Sequence, residues 1–85
     1  MRIVESAQFQ RRFAALPATI KARARKQLAL FVQNWRHPSL QTEKAKGHRN
    51  LWKGRITQRY RFIFRIEGDT YVLLDIGPHD IERRL

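Results

Sequence analysis

Two arginines and a histidine are the residues of this sequence best suited to chemistry on a phosphate group. Arg55 and Arg61 lie in segments with the alternating pattern of β-strands, and His79 lies in a Gly-Pro-His-Asp turn at residues 77–80. Guanidinium groups stabilise the charge of a pentacovalent phosphorane, and an imidazole exchanges a proton near neutral pH. Together these groups have the chemistry needed to cleave RNA through its 2′-OH, which DNA lacks.

The turn that contains His79 also has a purely structural interpretation. Asp80 can orient the imidazole or raise its pKa, or it can simply cap the terminal segment 81–85. The sequence leaves both open. Of the other histidines, His37 is expected to cap a helix end or face solvent, whereas His48 lies in a basic loop. Because the chain has no cysteine and no two histidines at helical spacing, we predict neither a metal site nor a cofactor.

A run of basic residues without an acidic one extends from residue 44 to residue 65. The two-residue period of a strand places alternate side chains on one face, so the cations of two neighbouring strands should lie side by side, exposed and unneutralised. Such a surface suits phosphodiester oxygens, although a merely solvated face is the alternative. Beside the catalytic candidates, the residues expected to bind RNA phosphates are Lys53, Arg59, Arg65, Lys46, His48 and Arg49.

The elements before the basic segment are predicted to be one strand and two helices. Residues 2–5 form a weak strand, and Ser6 is a plausible N-cap for a helix with apolar residues at spacings of four and three. Pro17 ends that helix and can occupy the first turn of the next. A 4-4-3-4 spacing marks the buried stripe of the second helix, which ends within residues 34–38. Its members are Ile20, Ala24, Leu28, Phe31 and Trp35. The basic residues beside the stripe are expected to face solvent; they are Lys21, Arg23, Arg25 and Lys26.

The second half of the chain is predicted to be a sheet. Residues 39–50 read as a loop, residues 51–57, 59–66 and 70–76 as strands, and residues 67–69 as a turn. Short connections favour an antiparallel meander. The predicted fold is therefore α+β, β-α-α-β-β-β, with a helical hairpin packed on one face of a small, mainly antiparallel sheet and the other face left open.

Composition limits the class of protein. A chain of 85 residues allows one domain, here residues 1–85, and a formal charge of +11 favours a polyanionic partner. Hydrophobic residues make up 42% of the chain, which argues against disorder. No apolar run approaches about 18 residues and the first residues lack a signal-peptide pattern, so we expect a cytoplasmic protein without a membrane partner.

Several segments together resemble the RelE/ParE toxin superfamily of bacterial toxin–antitoxin modules. They are the helical hairpin with its proline, residues 51–56 (Leu-Trp-Lys-Gly-Arg-Ile), residues 60–64 (Tyr-Arg-Phe-Ile-Phe) and the turn at 77–80. The resemblance implies a microbial RNase-like fold. RelE-type members cleave mRNA in the ribosomal A site without a metal, whereas ParE-type members inhibit DNA gyrase, and an antitoxin neutralises both.

The resemblance also implies roles for individual residues. Arg61 matches an arginine that contacts the scissile phosphate, Arg55 matches a basic position of the preceding strand, and Lys53 falls where members have Lys or Glu. His79 falls in a turn that often carries a catalytic residue. Many RelE-type nucleases have a tyrosine near the C-terminus, and residues 81–85 have none, so the acid–base assignment stays open.

We therefore expect a toxin that cleaves mRNA by 2′-OH attack. Its expected partners are an acidic antitoxin, mRNA and the ribosome. The alternatives are a gyrase inhibitor of the ParE type and an RNA-binding relative without catalysis.

Overall fold

The computed structural model describes residues 2–84, except for the side chain of Arg84. Within this range the strands form a five-stranded sheet in the order β1-β5-β4-β3-β2, in which β1 runs parallel to β5 and the other pairs are antiparallel. The elements are β1 (Arg2–Glu5), α1 (Ala7–Ala14), α2 (Ala18–Gln33), β2 (Glu43–Lys44), β3 (Trp52–Arg55), β4 (Tyr60–Glu67) and β5 (Thr70–Pro78), with 3₁₀ helices at Pro38–Leu40 and His79–Arg84. The predicted α+β fold, with both helices packed on the sheet, is confirmed.

The two helices begin where the sequence predicts. The Ser6 hydroxyl accepts a hydrogen bond from the Phe9 amide at 3.0 Å and donates one to the Leu74 carbonyl at 3.0 Å, so this N-cap also ties α1 to β5. Pro17 lies at the N-cap of α2 rather than in its first turn, and its carbonyl accepts the Lys21 amide. In the described residues no helix is long and apolar enough to cross a membrane.

The core centres on Phe31 of α2, which is fully buried. Its ring meets those of Phe62, Phe64 and Tyr71 edge-on, at centroid distances of 5.3, 4.8 and 5.5 Å. The predicted stripe of α2 thus faces the sheet, and β4 is held firmly beneath the helix. Because Phe62 and Phe64 point into the core, the alternate residues of β4 point to the opposite face.

The segment 39–50 is not simply the predicted loop. It contains the end of the first 3₁₀ helix, with Leu40 fully buried, and the short strand β2, whose Glu43 and Lys44 pair with β3. A two-residue strand shows no period, so the sequence pattern could not reveal it. Strand β5 also runs two residues beyond its predicted end, because its last residues, Gly77 and Pro78, still pair with β4.

The sequence predicts that the sheet face opposite the helices is left open. In the structure this face is partly covered. The 3₁₀ helix His79–Arg84 packs against β4 and β5. Ile63 and Ile81 are fully buried, although neither belongs to the main core cluster. Ile63 is an apolar residue between arginines on this face, and its burial requires a cover. Leu85, the last residue of the predicted segment 81–85, lies outside the described residues.

Gly54 allows β3 to approach β4 closely. A Cβ atom at this position would overlap the aromatic ring of Phe62. We therefore expect Gly54→Ala to lower the free energy of unfolding by about 1–3 kcal/mol, since the buried ring must move. Chemical denaturation measures this change. In the double variant Gly54→Ala/Phe62→Leu part of the loss should be recovered; strictly additive losses would contradict the steric explanation.

Candidate functional site

Arg55 and Arg61 are direct cross-strand partners, at the end of the sheet where β3 turns into β4. Both side chains belong to the face opposite the helices, because the neighbouring Gly54 and Phe62 pair on the helix-bearing face. On its other side Arg61 pairs with Gly77, which has no side chain to cover it. Two arginines therefore lie side by side on this face; we call this region the arginine end of the sheet.

The Arg61 guanidinium is fixed by the turn that precedes it. Its Nη1 group donates to the carbonyl oxygens of Thr57, Gln58 and Tyr60, at 2.5, 3.0 and 3.0 Å. These bonds leave the Nε and Nη2 donors uncommitted within the described residues. Burial lowers the pKa of Arg61, and the positive charge of Arg55 lowers it further. The group stays cationic, since an arginine is not deprotonated in proteins.

Arg55 has no carboxylate partner among the described residues. Like charges directly opposite each other on two strands destabilise a sheet, so the Arg55–Arg61 pair is unfavourable in the free protein. An anion bound between the two groups would relieve this repulsion. The arrangement is therefore suited to a phosphate group, which accepts charge-assisted hydrogen bonds from guanidinium donors.

Gln27 supports this end of β3 and was missed by the sequence analysis. It is a buried polar residue of α2, and its Nε2 group donates to the Arg55 carbonyl at 3.0 Å and to the Ser39 carbonyl at 3.3 Å. The α2 helix thus holds the backbone of Arg55 directly. Its position was a usable signal, because residue 27 lies on the apolar stripe, three residues after Ala24 and four before Phe31.

A backbone hydrogen bond holds His79 next to the arginine end. Its amide donates to the Arg59 carbonyl at 2.7 Å, which continues the β4–β5 pairing beyond Pro78. His79 is the first residue of the last 3₁₀ helix and follows Gly77, the cross-strand partner of Arg61, by two positions. The histidine is exposed, and its imidazole makes no hydrogen bond or ion pair within residues 2–84. It is therefore accessible to a bound substrate.

Neither predicted role of Asp80 is visible in the structure. The residue is exposed in the first turn of the 3₁₀ helix, and its carboxylate has no partner in the part of the chain that is described. It does not orient the imidazole of His79 by a hydrogen bond.

Lys53 differs from the other cations of the predicted surface, because two carboxylates neutralise it. Its Nζ lies 2.5 Å from Glu82 Oε1 and 2.9 Å from Glu43 Oε1. The hydrogen bond to Glu82, followed by that to Glu43, raises the pKa of Lys53. Both carboxylates also act electrostatically on Arg61. The sequence pattern predicts an unneutralised face and gives no sign of these two carboxylates.

The remaining predicted phosphate-binding residues are divided among three places. Arg59 is exposed at the arginine end, whereas Arg65, farther along β4, pairs with Glu67 at 2.9 Å. The other three lie between β2 and β3, at the opposite end of β3 from Arg55; they are Lys46, His48 and Arg49. Among the described residues, no three histidine, aspartate or glutamate side chains are grouped to hold a metal ion.

The Lys53 ion pairs imply a defined dependence of stability on pH. Because the pKa of Lys53 is raised above 10.5, its contribution is complete below that pH and is lost as the pH rises through the higher pKa of the folded protein. We expect Glu82→Gln to lower the free energy of unfolding by about 0.2–1 kcal/mol at neutral pH, as for other partly exposed pairs. The difference in the free energy of unfolding between the wild-type protein and the variant should become smaller in strongly alkaline solution.

Denaturant titrations of the wild-type protein and Glu82→Gln, from neutral pH to above the pKa of Lys53, provide the measurement. Glu67→Gln is the matched control, since it breaks an ion pair of Arg65, whose charge does not titrate there. A Glu82→Gln difference that stays constant above the pKa of Lys53 would contradict the assignment.

Comparison with known proteins gives one family. A family model described as a ParE-like toxin domain matches residues 18–80. The matched range contains α2 and strands β2 to β5, and therefore Arg55, Arg61 and His79. No curated protein matches the sequence.

Three solved structures share this fold with the chain. A YoeB/ParE toxin from Agrobacterium tumefaciens is 18% identical, with a TM-score of 0.77 over 93% of this chain and 99% of that chain. The RelE–RelB complex from Pyrococcus horikoshii is 17% identical, with a TM-score of 0.74 over 93% and 94%. The RelB–RelE antitoxin–toxin complex from Methanococcus jannaschii is 19% identical, with a TM-score of 0.70 over 95% of each chain.

Proposed function

Since this chain belongs to the ParE-like toxin family, we propose that it acts as a toxin by cleaving mRNA, as a metal-independent endoribonuclease working on ribosome-bound message. The observation that carries the proposal is the cross-strand Arg55–Arg61 pair beside the exposed His79, since neither arginine forms an ion pair with a carboxylate in residues 2–84. These three side chains supply a phosphate-binding site and a proton-transfer group at one end of the sheet.

The proposed reaction uses the RNA's own 2′-OH as the nucleophile. The 2′-oxygen attacks the adjacent phosphorus, a P–O2′ bond forms, and the P–O5′ bond breaks to give a 2′,3′-cyclic phosphate and a 5′-OH end. Arg55 and Arg61 bind the non-bridging oxygens and stabilise the negative charge of the phosphorane. A neutral His79 accepts the proton of the 2′-OH, in which case water protonates the departing 5′-oxygen. Alternatively, a protonated His79 donates to the 5′-oxygen and water accepts the proton of the 2′-OH.

Mapping of 5′ ends in cells tests this proposal. Induced expression should arrest growth and produce new 5′-OH ends inside translated reading frames. The Arg61→Ala variant should produce neither effect. Growth arrest with intact cellular RNA would overturn the proposal.

Inhibition of DNA gyrase is the second candidate function. One observation favours it: the matching family model is of the ParE-like type. In that case the purified protein would block DNA supercoiling and leave ribosome-bound mRNA intact. The two assays together distinguish the candidates.

We propose an acidic antitoxin as the protein partner. The chain has a formal charge of +11, and an acidic segment over the arginine end would relieve its repulsion. A groove of about 600 Å³ between α1, α2 and β1 is lined by apolar side chains such as Ile3, Phe13 and Val32, which suits an amphipathic helix. Val32 is 52% exposed there.

Co-expression with the neighbouring gene of the native operon tests this partner. The two proteins should purify together, and the complex should unfold at a higher temperature than the toxin alone. Recovery of the free toxin in high yield, without growth arrest, would contradict the proposal.

A further inference from the structure

A second cationic surface lies at the other end of β3 from Arg55. The rings of Trp35 and Trp52 meet edge-on there, with centroids 5.0 Å apart. The Arg36 guanidinium lies 4.3 Å from the Trp35 ring centroid and 5.7 Å from that of Trp52, and the Lys44 ammonium lies 5.6 Å from the Trp52 centroid. We call these four residues, with Lys46, His48 and Arg49 of the adjoining loop, the tryptophan patch.

The loop residues belong to this patch because the loop closes on the start of β3. The Ala45 amide donates to the Leu51 carbonyl at 2.7 Å, and Lys44 pairs with Trp52 across β2 and β3. The segment between these pairs is therefore confined next to Trp52. This explains why its cations, which the sequence assigns to phosphate binding, do not reach Arg61.

The cations of the tryptophan patch keep their full charge. Within residues 2–84, no carboxylate forms an ion pair with Arg36, Lys44, Lys46 or Arg49, whereas Lys53 has two such partners. A cation–π contact holds a cation in place without cancelling its charge, since the ring contributes only a quadrupole. Arg36 and Lys44 are therefore positioned by the indole rings and remain available to an anion.

The combination of indole rings and free cations identifies the ligand class. Single-stranded nucleic acid is bound by aromatic rings that stack on bases, together with cations that contact the phosphates. The tryptophans are half-buried and Arg36 is exposed, so part of each indole and the guanidinium above them can be reached from solvent. An acidic protein segment would use the charges and have no comparable use for the rings.

We propose that the tryptophan patch is a second RNA-binding surface, which holds single-stranded RNA without cleaving it. Trp52 lies on the helix-bearing face of β3 and Arg55 on the opposite face. Their positions are about 10 Å apart along the strand, at a rise of about 3.3 Å per residue. One RNA strand that passes the short edge strand β2 can therefore reach both surfaces. The patch would bind RNA whether or not the arginine end cleaves it, so the two proposals can fail separately.

Intrinsic fluorescence provides a direct test, because the two tryptophans of the chain both belong to this patch. The probe is a short 2′-O-methyl RNA oligonucleotide, which cannot undergo 2′-OH attack. The test variant is Lys46→Gln/Arg49→Gln, which leaves the indole rings in place. The matched control, Arg23→Gln/Lys26→Gln, removes the same charge from exposed positions of α2.

RNA should change the tryptophan emission saturably in the full-length protein, and log K should fall linearly with log salt concentration. The magnitude of this slope should be smaller by about 1.4 in Lys46→Gln/Arg49→Gln, at about 0.7 for each lost phosphate contact on a single strand. In the control it should stay unchanged. The Arg61→Ala variant should retain the emission change even though its cleavage of mRNA is slowed.

Two results would overturn the proposal. Equal slopes in the test variant and the control would show that Lys46 and Arg49 contact no phosphate. An emission change with polyglutamate but none with RNA would show that the patch is a surface for an acidic protein.

Discussion

Replacing Arg61 by alanine is expected to lower the rate of RNA cleavage by about 10²–10³-fold, the usual cost of removing one fixed donor from a charged transition state. The structure holds this guanidinium in place through carbonyl oxygens of the preceding turn and sets it beside Arg55. The measurement is the initial rate of cleavage of ribosome-bound mRNA by purified protein. Arg61→Lys should recover only part of the rate, because an ammonium lacks the planar fork of donors.

Two controls separate catalysis from folding in this experiment. Arg61→Ala also loses hydrogen bonds to the turn, so its unfolding transition must show that the variant is folded under the assay conditions. Arg23→Ala removes the same charge from an exposed position of α2 and should cleave at the wild-type rate. A folded Arg61→Ala variant with an unchanged rate would contradict the proposed role.

The second large effect is expected at His79. The alanine variant should cleave about 10²–10⁴-fold more slowly, as when a general acid or base is lost. The pH–rate profile should lose one ionisation at the same time, which a merely structural residue would not cause. The part of the wild-type pH–rate profile that disappears in the variant assigns the role of His79. If the lost feature is a fall in rate at low pH, His79 acts as a base; if it is a fall at high pH, His79 acts as an acid.

His37→Ala is the matched control for this experiment. His37 caps the first 3₁₀ helix, where its Nδ1 accepts the Ser39 amide at 3.2 Å, and it has no part in the proposed site. Its removal should leave both the rate and the profile unchanged. If His79→Ala retains the wild-type profile, another group transfers the proton.

The helices and long strands could be predicted because their patterns are periodic. The stripe of α2 around Phe31 and the alternation of β4 each repeat over several turns or residue pairs, and Pro17 separates the helices. Strand β2 has only two residues and therefore no period. The burial of Ile63 beneath the last 3₁₀ helix depends on a tertiary contact, although an isoleucine between arginines was a hint.

The candidate site could be predicted only in part, for a related reason. The two-residue period placed Lys53 and Arg55 on one face of the first predicted strand. It placed Arg59, Arg61 and Arg65 on one face of the next. It could not show that Lys53 meets Glu82, which lies 29 residues away and is brought there by the fold. Local pattern thus predicts which face a cation occupies, whereas its neutralisation depends on contacts distant in sequence.

The most direct test of the central claim uses ribosome-bound mRNA with a single 2′-deoxynucleotide on the 5′ side of the bond that the toxin cuts. If the 2′-OH is the nucleophile, the all-ribose message yields a 2′,3′-cyclic phosphate and a 5′-OH end, and the substituted message stays intact at that bond. Cleavage at the deoxy-substituted bond would contradict RNA cleavage by 2′-OH attack at the arginine end.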